Sequence, residues 1–315
     1  MSASRATSLR GSLGMLLRRP IAVELGAVVA LLVGVSAYTV VVDSALDPYF
    51  LDSDTALLFL RSAFVLAGMG VLTAGYATWR GYSLPVSVPE RDDRRLLAAA
   101  VAGTALLALL PFSVLASQTG TGVDHVAATL ADPGSVFTVR TLIRLSLFVP
   151  GMVLLYHGIV QGALRHAFDD DRRLAVAVTT LVGGYLAAPT TVTYGSFAGG
   201  PWLSLWGDRA AVAALFVLAM GVAVAANRRV DDDRLHALAR LPVLAALALA
   251  VLVVAVAADS PGGVLVVVTR AAVIGVAALA YDAADSLLAP GAVYATFAVV
   301  SSVLYVATLA AVFGG

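Results

Sequence analysis

The sequence predicts an all-α fold, a polytopic transmembrane helical bundle of about nine spans, and three observations carry that reading. Of the 315 residues 60% are hydrophobic and only 13% charged, the mean hydropathy is +0.92, and the apolar residues fall into long runs. Such a composition lies well outside that of soluble domains. A helix needs roughly 20 mainly apolar residues to cross the hydrocarbon core. The runs lack the alternation of barrel strands, so their backbone groups are satisfied within each helix.

Nine runs approach that length: residues 21–42, 55–79, 96–117, 139–164, 174–197, 209–226, 235–258, 264–281 and 292–312. Residues 1–19 are polar and Arg-bearing, and the apolar run behind them is too long for a signal peptide, so they read as a retained tail. Arginines then gather in alternate loops: Arg18 and Arg19; Arg80, Arg91, Arg94 and Arg95; Arg165, Arg172 and Arg173; Arg228, Arg229 and Arg234. These loops share one side if the spans alternate, which predicts a cytoplasmic N-terminus and an outer C-terminus in the cell membrane. The opposite loops are acidic, with Asp43, Asp47, Asp52, Asp54, Asp124, Asp132 and Asp259, and Trp202 and Trp206 suit an outer aromatic belt.

The longest loops, near residues 81–95 and 118–138, are too short for a soluble domain. Nothing repeats internally as in a transporter with inverted halves. The chain divides into residues 1–87 (tail and two spans), 88–247 (a helical core) and 248–315 (the end of the seventh span and two more).

With no cysteine the chain has no disulfide, no thiolate nucleophile and no zinc–thiolate site, and with no lysine it has no Schiff base. Net charge is zero and no basic stripe points to nucleic acid. The expected partner is the lipid bilayer, with a membrane protein or an anionic lipid as candidates; no cofactor and no metal is expected.

Residues Pro150 to Phe168 read PGMVLLYHGIVQGALRHAF. Pro150, Gly151, Leu154, Leu155, Gly158, Gln161, Gly162, Leu164 and Arg165 fit a helix that typically reads P-G-E-E-x-x-F-R-G, and in this the segment resembles the first motif of the CPBP (CAAX protease and bacteriocin-processing) intramembrane proteases. The resemblance runs from about Val88 to Leu247. It implies a metalloprotease scaffold whose working residues are absent. Met152 and Val153 stand at the glutamate pair and His157 at the arginine. In the second motif, F-x-x-x-H, Tyr185 is followed by Pro189 at the histidine, and in the third Arg240 takes the histidine's place. Peptide hydrolysis by that mechanism needs a carboxylate base and neutral ligands, and a guanidinium cannot ligate a metal. The only glutamates, Glu24 and Glu90, are expected outside the core near the inner surface. The reading is therefore a proteolytically inactive member, with no catalytic residues, that binds a membrane partner or lipid. An active protease with an unrecognised site and a small anion permease are the alternatives.

Two polar sets stand out. His157 and Gln161 are i,i+4 neighbours on one helix face. With Tyr156, His236, Arg240 and Asp282, aided by Asp285, they form a candidate polar pocket toward the inner side. Arg61, Arg144 and Arg270 lie at similar depth below the outer ends of their spans and form a candidate cationic set. Gly158 and Gly162 make a small-xxx-small pair suited to close helix packing.

Overall fold

The computed structural model describes residues 20–46, 55–81, 84–91, 93–132, 134–168, 171–187, 212–224, 233–257 and 261–313. Among these residues there is no strand. The helices are α1 (Pro20–Leu46), α2 (Thr55–Arg80), α3 (Asp93–Thr119), α4 (Val123–Ala131), a composite α5 over residues 134–167, α6 (Arg172–Ala187), α7 (Val212–Val224), α8 (Asp233–Ala257), α9 (Pro261–Ala284) and α10 (Leu288–Phe313). Each of the nine apolar runs thus contains a helix. Among the described residues five stretches are long and apolar enough to cross a membrane: Ser62–Arg80, Asp93–Thr119, Phe137–Ala167, Gly262–Ala284 and Leu288–Val312. That set fits a membrane-associated helical protein. One helix, α4, forms where a loop is expected; it is only nine residues long, too short to register as an apolar run.

α9 occupies the middle of the bundle, packed along α3, α6 and α10 and touching α5 and α8, while α10 also lies against α4 and α5. α1 sits on the other flank, against α2 and the end of α5. Inside lipid there is no hydrophobic force between helices, so van der Waals fit decides which faces meet. Backbones approach closely at Gly184 of α6, where a methyl group would stand 2.7 Å from Cβ and 3.1 Å from Cα of Ala271 on α9. Gly183 is similar, 2.9 Å from Ile274. At Gly158, by contrast, a methyl would meet Thr73 at an ordinary 3.5 Å, and at Gly162 only its own helix. Close approach therefore belongs to α6 and α9 rather than to the Gly158/Gly162 pair. Gly184→Val is expected to lower the unfolding midpoint in detergent micelles, by about 1–3 kcal/mol as overpacking does; an unmoved midpoint would mean that the two backbones are not in contact there.

The α9–α10 turn is equally specific. Asp285 takes a positive φ of 43°, a conformation that Asp tolerates better than most residues. The turn then reaches back to the α2–α3 loop: Leu287 N–H donates to Pro85 O at 2.8 Å and the buried Ser286 hydroxyl donates to Ser87 O.

Glu24 departs from expectation. Its position near the start of α1 suggests the membrane surface, yet it is 0% exposed. The Tyr76 hydroxyl and the Arg80 guanidinium, both from the end of α2, donate to its two carboxylate oxygens. A buried carboxylate is tolerated only when so satisfied, and the pairing joins α1 to α2. Glu90 is exposed, as expected of a loop residue.

Candidate functional site

Helix α5 carries the segment singled out in the sequence, and it is not a uniform α-helix. It runs as Gly134–Ile143 (α), Arg144–Phe148 (π), Val149–Met152 (α), Val153–Gln161 (π) and Gly162–Ala167 (α). Pro150 lies between the two π segments. A proline has no N–H to give to the carbonyl four residues back. Just before it the winding has already widened, with Val149 N–H donating to Arg144 O five residues earlier. Such bulges recur at functional sites.

The second π segment places His157 and Gln161 at the centre of the bundle, each 0% exposed. Gln161 Nε2 donates to Ala278 O of α9 at 3.0 Å, which leaves its Oε1 to accept from His157 Nδ1 at 2.7 Å. His157 Nε2 then accepts from the Tyr294 hydroxyl of α10 at 2.8 Å. The three side chains form a directed chain, Tyr294 to His157 to Gln161 to Ala278, which requires the neutral imidazole with its proton on Nδ1. The ring is packed between Tyr281 and Tyr294, at centroid distances of 5.9 and 5.6 Å. No lone pair of the imidazole remains for a ligand. The residues 88–247 do not build this cluster alone, since α9 and α10 supply half of it.

Around it the aligned positions are apolar. Met152 and Val153, which stand where the glutamate pair would, pack in the hydrophobic core, with Val153 facing Gly291 of α10. Tyr156 is buried beside Gly183. Arg240 is exposed on α8 while His157 is enclosed, so the two do not share a pocket. Asp282 engages Arg172 of α6, whose Nε lies 4.0 Å from its carboxylate, and Asp285 accepts from Arg165 at 2.8 Å. These ion pairs form a second layer, and the Tyr281 ring, 5.8 Å from the Arg165 guanidinium, lies between it and the first. Pro189 and the side chain of His236 lie outside the described residues. Among the described residues no three His, Asp or Glu groups gather as a metal site would require.

Two of the outer arginines bond to different helices. Arg144 donates to Ser301 Oγ of α10 at 2.7 Å, and Arg270 to Ala187 O at the end of α6 at 2.8 Å; the side chain of Arg61 lies outside the described residues. Sequence reasoning missed Tyr294, which is 137 residues from its partner and is marked only by a hydroxyl in an apolar helix.

Away from the polar cluster, a cleft of ≈ 330 Å³ opens between α6, α7, α8 and α9. Its walls are almost wholly apolar, with Leu181, Tyr185, Phe216, Leu247, Val251 and Val267 among them. That volume is at the lower end of the ~300–1,000 Å³ of small-molecule pockets, and an apolar cavity excludes water. Helix α9, one of its walls, lies in a stretch long and apolar enough to cross a membrane. Beside this geometry the comparisons with known proteins place nothing: no family model, no curated protein and no solved structure matches the chain.

Proposed function

We propose that the chain is a multi-pass integral protein of the cell membrane, built of nine spans with its N-terminus cytoplasmic, on a CPBP-like scaffold without peptidase chemistry. Its function in this reading is to bind the hydrocarbon chain of a membrane lipid, alone or as part of a larger membrane partner, in the cleft between α6, α7, α8 and α9. The observation that carries the reading is the cleft itself, almost wholly apolar, in a molecule whose conspicuous polar group, His157, is already fully hydrogen-bonded. A general base or metal ligand needs an available lone pair near the reacting atoms, and the glutamate positions of the motif are filled by core side chains.

Gentle extraction followed by native mass spectrometry tests this. The protein is expected to retain a lipid, and Ala250→Trp, which fills the cleft, is expected to release it. Leu106→Trp on the exposed face of α3 serves as control and leaves the lipid bound. Equal lipid retention in all three proteins would remove the cleft from consideration.

A further inference from the structure

Helix α4 has more apolar surface than the bundle covers. On a helical wheel Thr129, Val126, Leu130, Val123, Ala127 and Ala131 make one continuous arc. Thr129 and Val126 turn inward, and the helix packs on α10. The rest of the arc faces outward, with Val123 85% and Leu130 63% exposed, and the exposed Asp124 stands at its far edge. The position of α4 restricts what that arc can meet. It follows the membrane-crossing stretch Asp93–Thr119 after only three residues and precedes the stretch Phe137–Ala167. Its ends are therefore held at the level where two spans leave the hydrocarbon, and its outward surface continues the exposed apolar belt of Leu110 and Leu115 on α3 and Val139 and Leu142 on α5.

We infer that α4 is an interfacial helix that lays Val123, Ala127 and Leu130 into the boundary between headgroups and acyl chains, with Asp124 turned to water. A helix with an apolar face and a polar edge lies in the plane of such a boundary. Its described charges are acidic, Asp124 here and Asp132 at its end. Its contact with the bilayer is therefore apolar rather than electrostatic, and neutral phosphatidylcholine suffices as the partner surface. The inference rests on the membrane-spanning reading above, and the test separates the two.

The chain has no cysteine, so single spin labels can be placed without background. Val123→Cys, Leu130→Cys, Asp124→Cys and, within α3, Leu106→Cys are reconstituted in phosphatidylcholine vesicles and probed by power saturation with oxygen and with a water-soluble nickel chelate. Labels at 123, 130 and 106 are expected to favour oxygen, with oxygen-to-nickel ratios several-fold above that at 124. Oxygen preference at 106 together with a ratio at 123 and 130 equal to that at 124 would overturn the interfacial helix and leave the spans intact. Nickel access at 106 as well would overturn both.

Discussion

Arg80→Ala is expected to destabilise the protein by about 3 kcal/mol, the lower end of the ~3–5 kcal/mol lost when one partner of a buried ion pair is removed. Glu24 is fully enclosed and its two oxygens are held by Tyr76 and Arg80. Without the guanidinium the carboxylate stays buried with one donor and no countercharge. The lower end applies because the Arg80 side chain keeps 23% of its exposure, so water reaches part of the site. Glu24→Gln combined with Arg80→Ala removes the stranded charge and should recover most of the loss. Titration with a denaturing detergent from mild micelles reads both. If single and double variants unfold at the same point, Glu24 is not a buried anion.

The second large effect lies at the polar cluster. His157→Phe keeps approximate volume but leaves the Tyr294 hydroxyl and the Gln161 carbonyl oxygen without their partner in the bundle interior. Each stranded buried polar group costs ~1–3 kcal/mol, giving an expected loss of about 2–6 kcal/mol for the two. Interhelical hydrogen bonds in membranes contribute only about 0.6 kcal/mol on average, so most of the loss comes from the orphaned groups. The triple change His157→Phe, Gln161→Leu, Tyr294→Phe should therefore unfold later than His157→Phe alone. An imidazole held for catalysis would behave otherwise: its replacement would leave the unfolding midpoint in place.

The helices were legible because a membrane requirement of about 20 apolar residues writes itself into composition without reference to partners. α4 was not, since nine residues with a polar edge resemble a loop. The pairing of His157 with Gln161 followed from helical spacing. The same spacing could not reveal that Pro150 is flanked by two π-wound stretches, because α and π windings of one segment use the same residues and are selected by what packs around them. A motif alignment groups Arg240 with His157, but it orders positions along a chain and carries no distances. Glu24 was misplaced for a related reason: closeness to a helix end sets its depth, whereas burial depends on Tyr76 and Arg80, side chains of another helix.

The turn between α9 and α10 has a consequence for the order in which the molecule can be completed. α3 packs mainly against these last two helices, and the loop ahead of it is tied down by Ser286 and Leu287. At ~5–20 residues per second, α3 waits roughly 10–30 s after its own synthesis before either neighbour exists. It is long and apolar enough to cross a membrane, where lipid would solvate its apolar faces meanwhile. Its buried hydroxyl, Thr104, donates within the helix to Ala100 O at 2.8 Å and needs nothing from the chain still to come. The α9–α10 hairpin thus has to be made before the α2–α3 loop can be fastened, and a nascent chain arrested before residue 285 would leave that loop without its Ser286 and Leu287 partners.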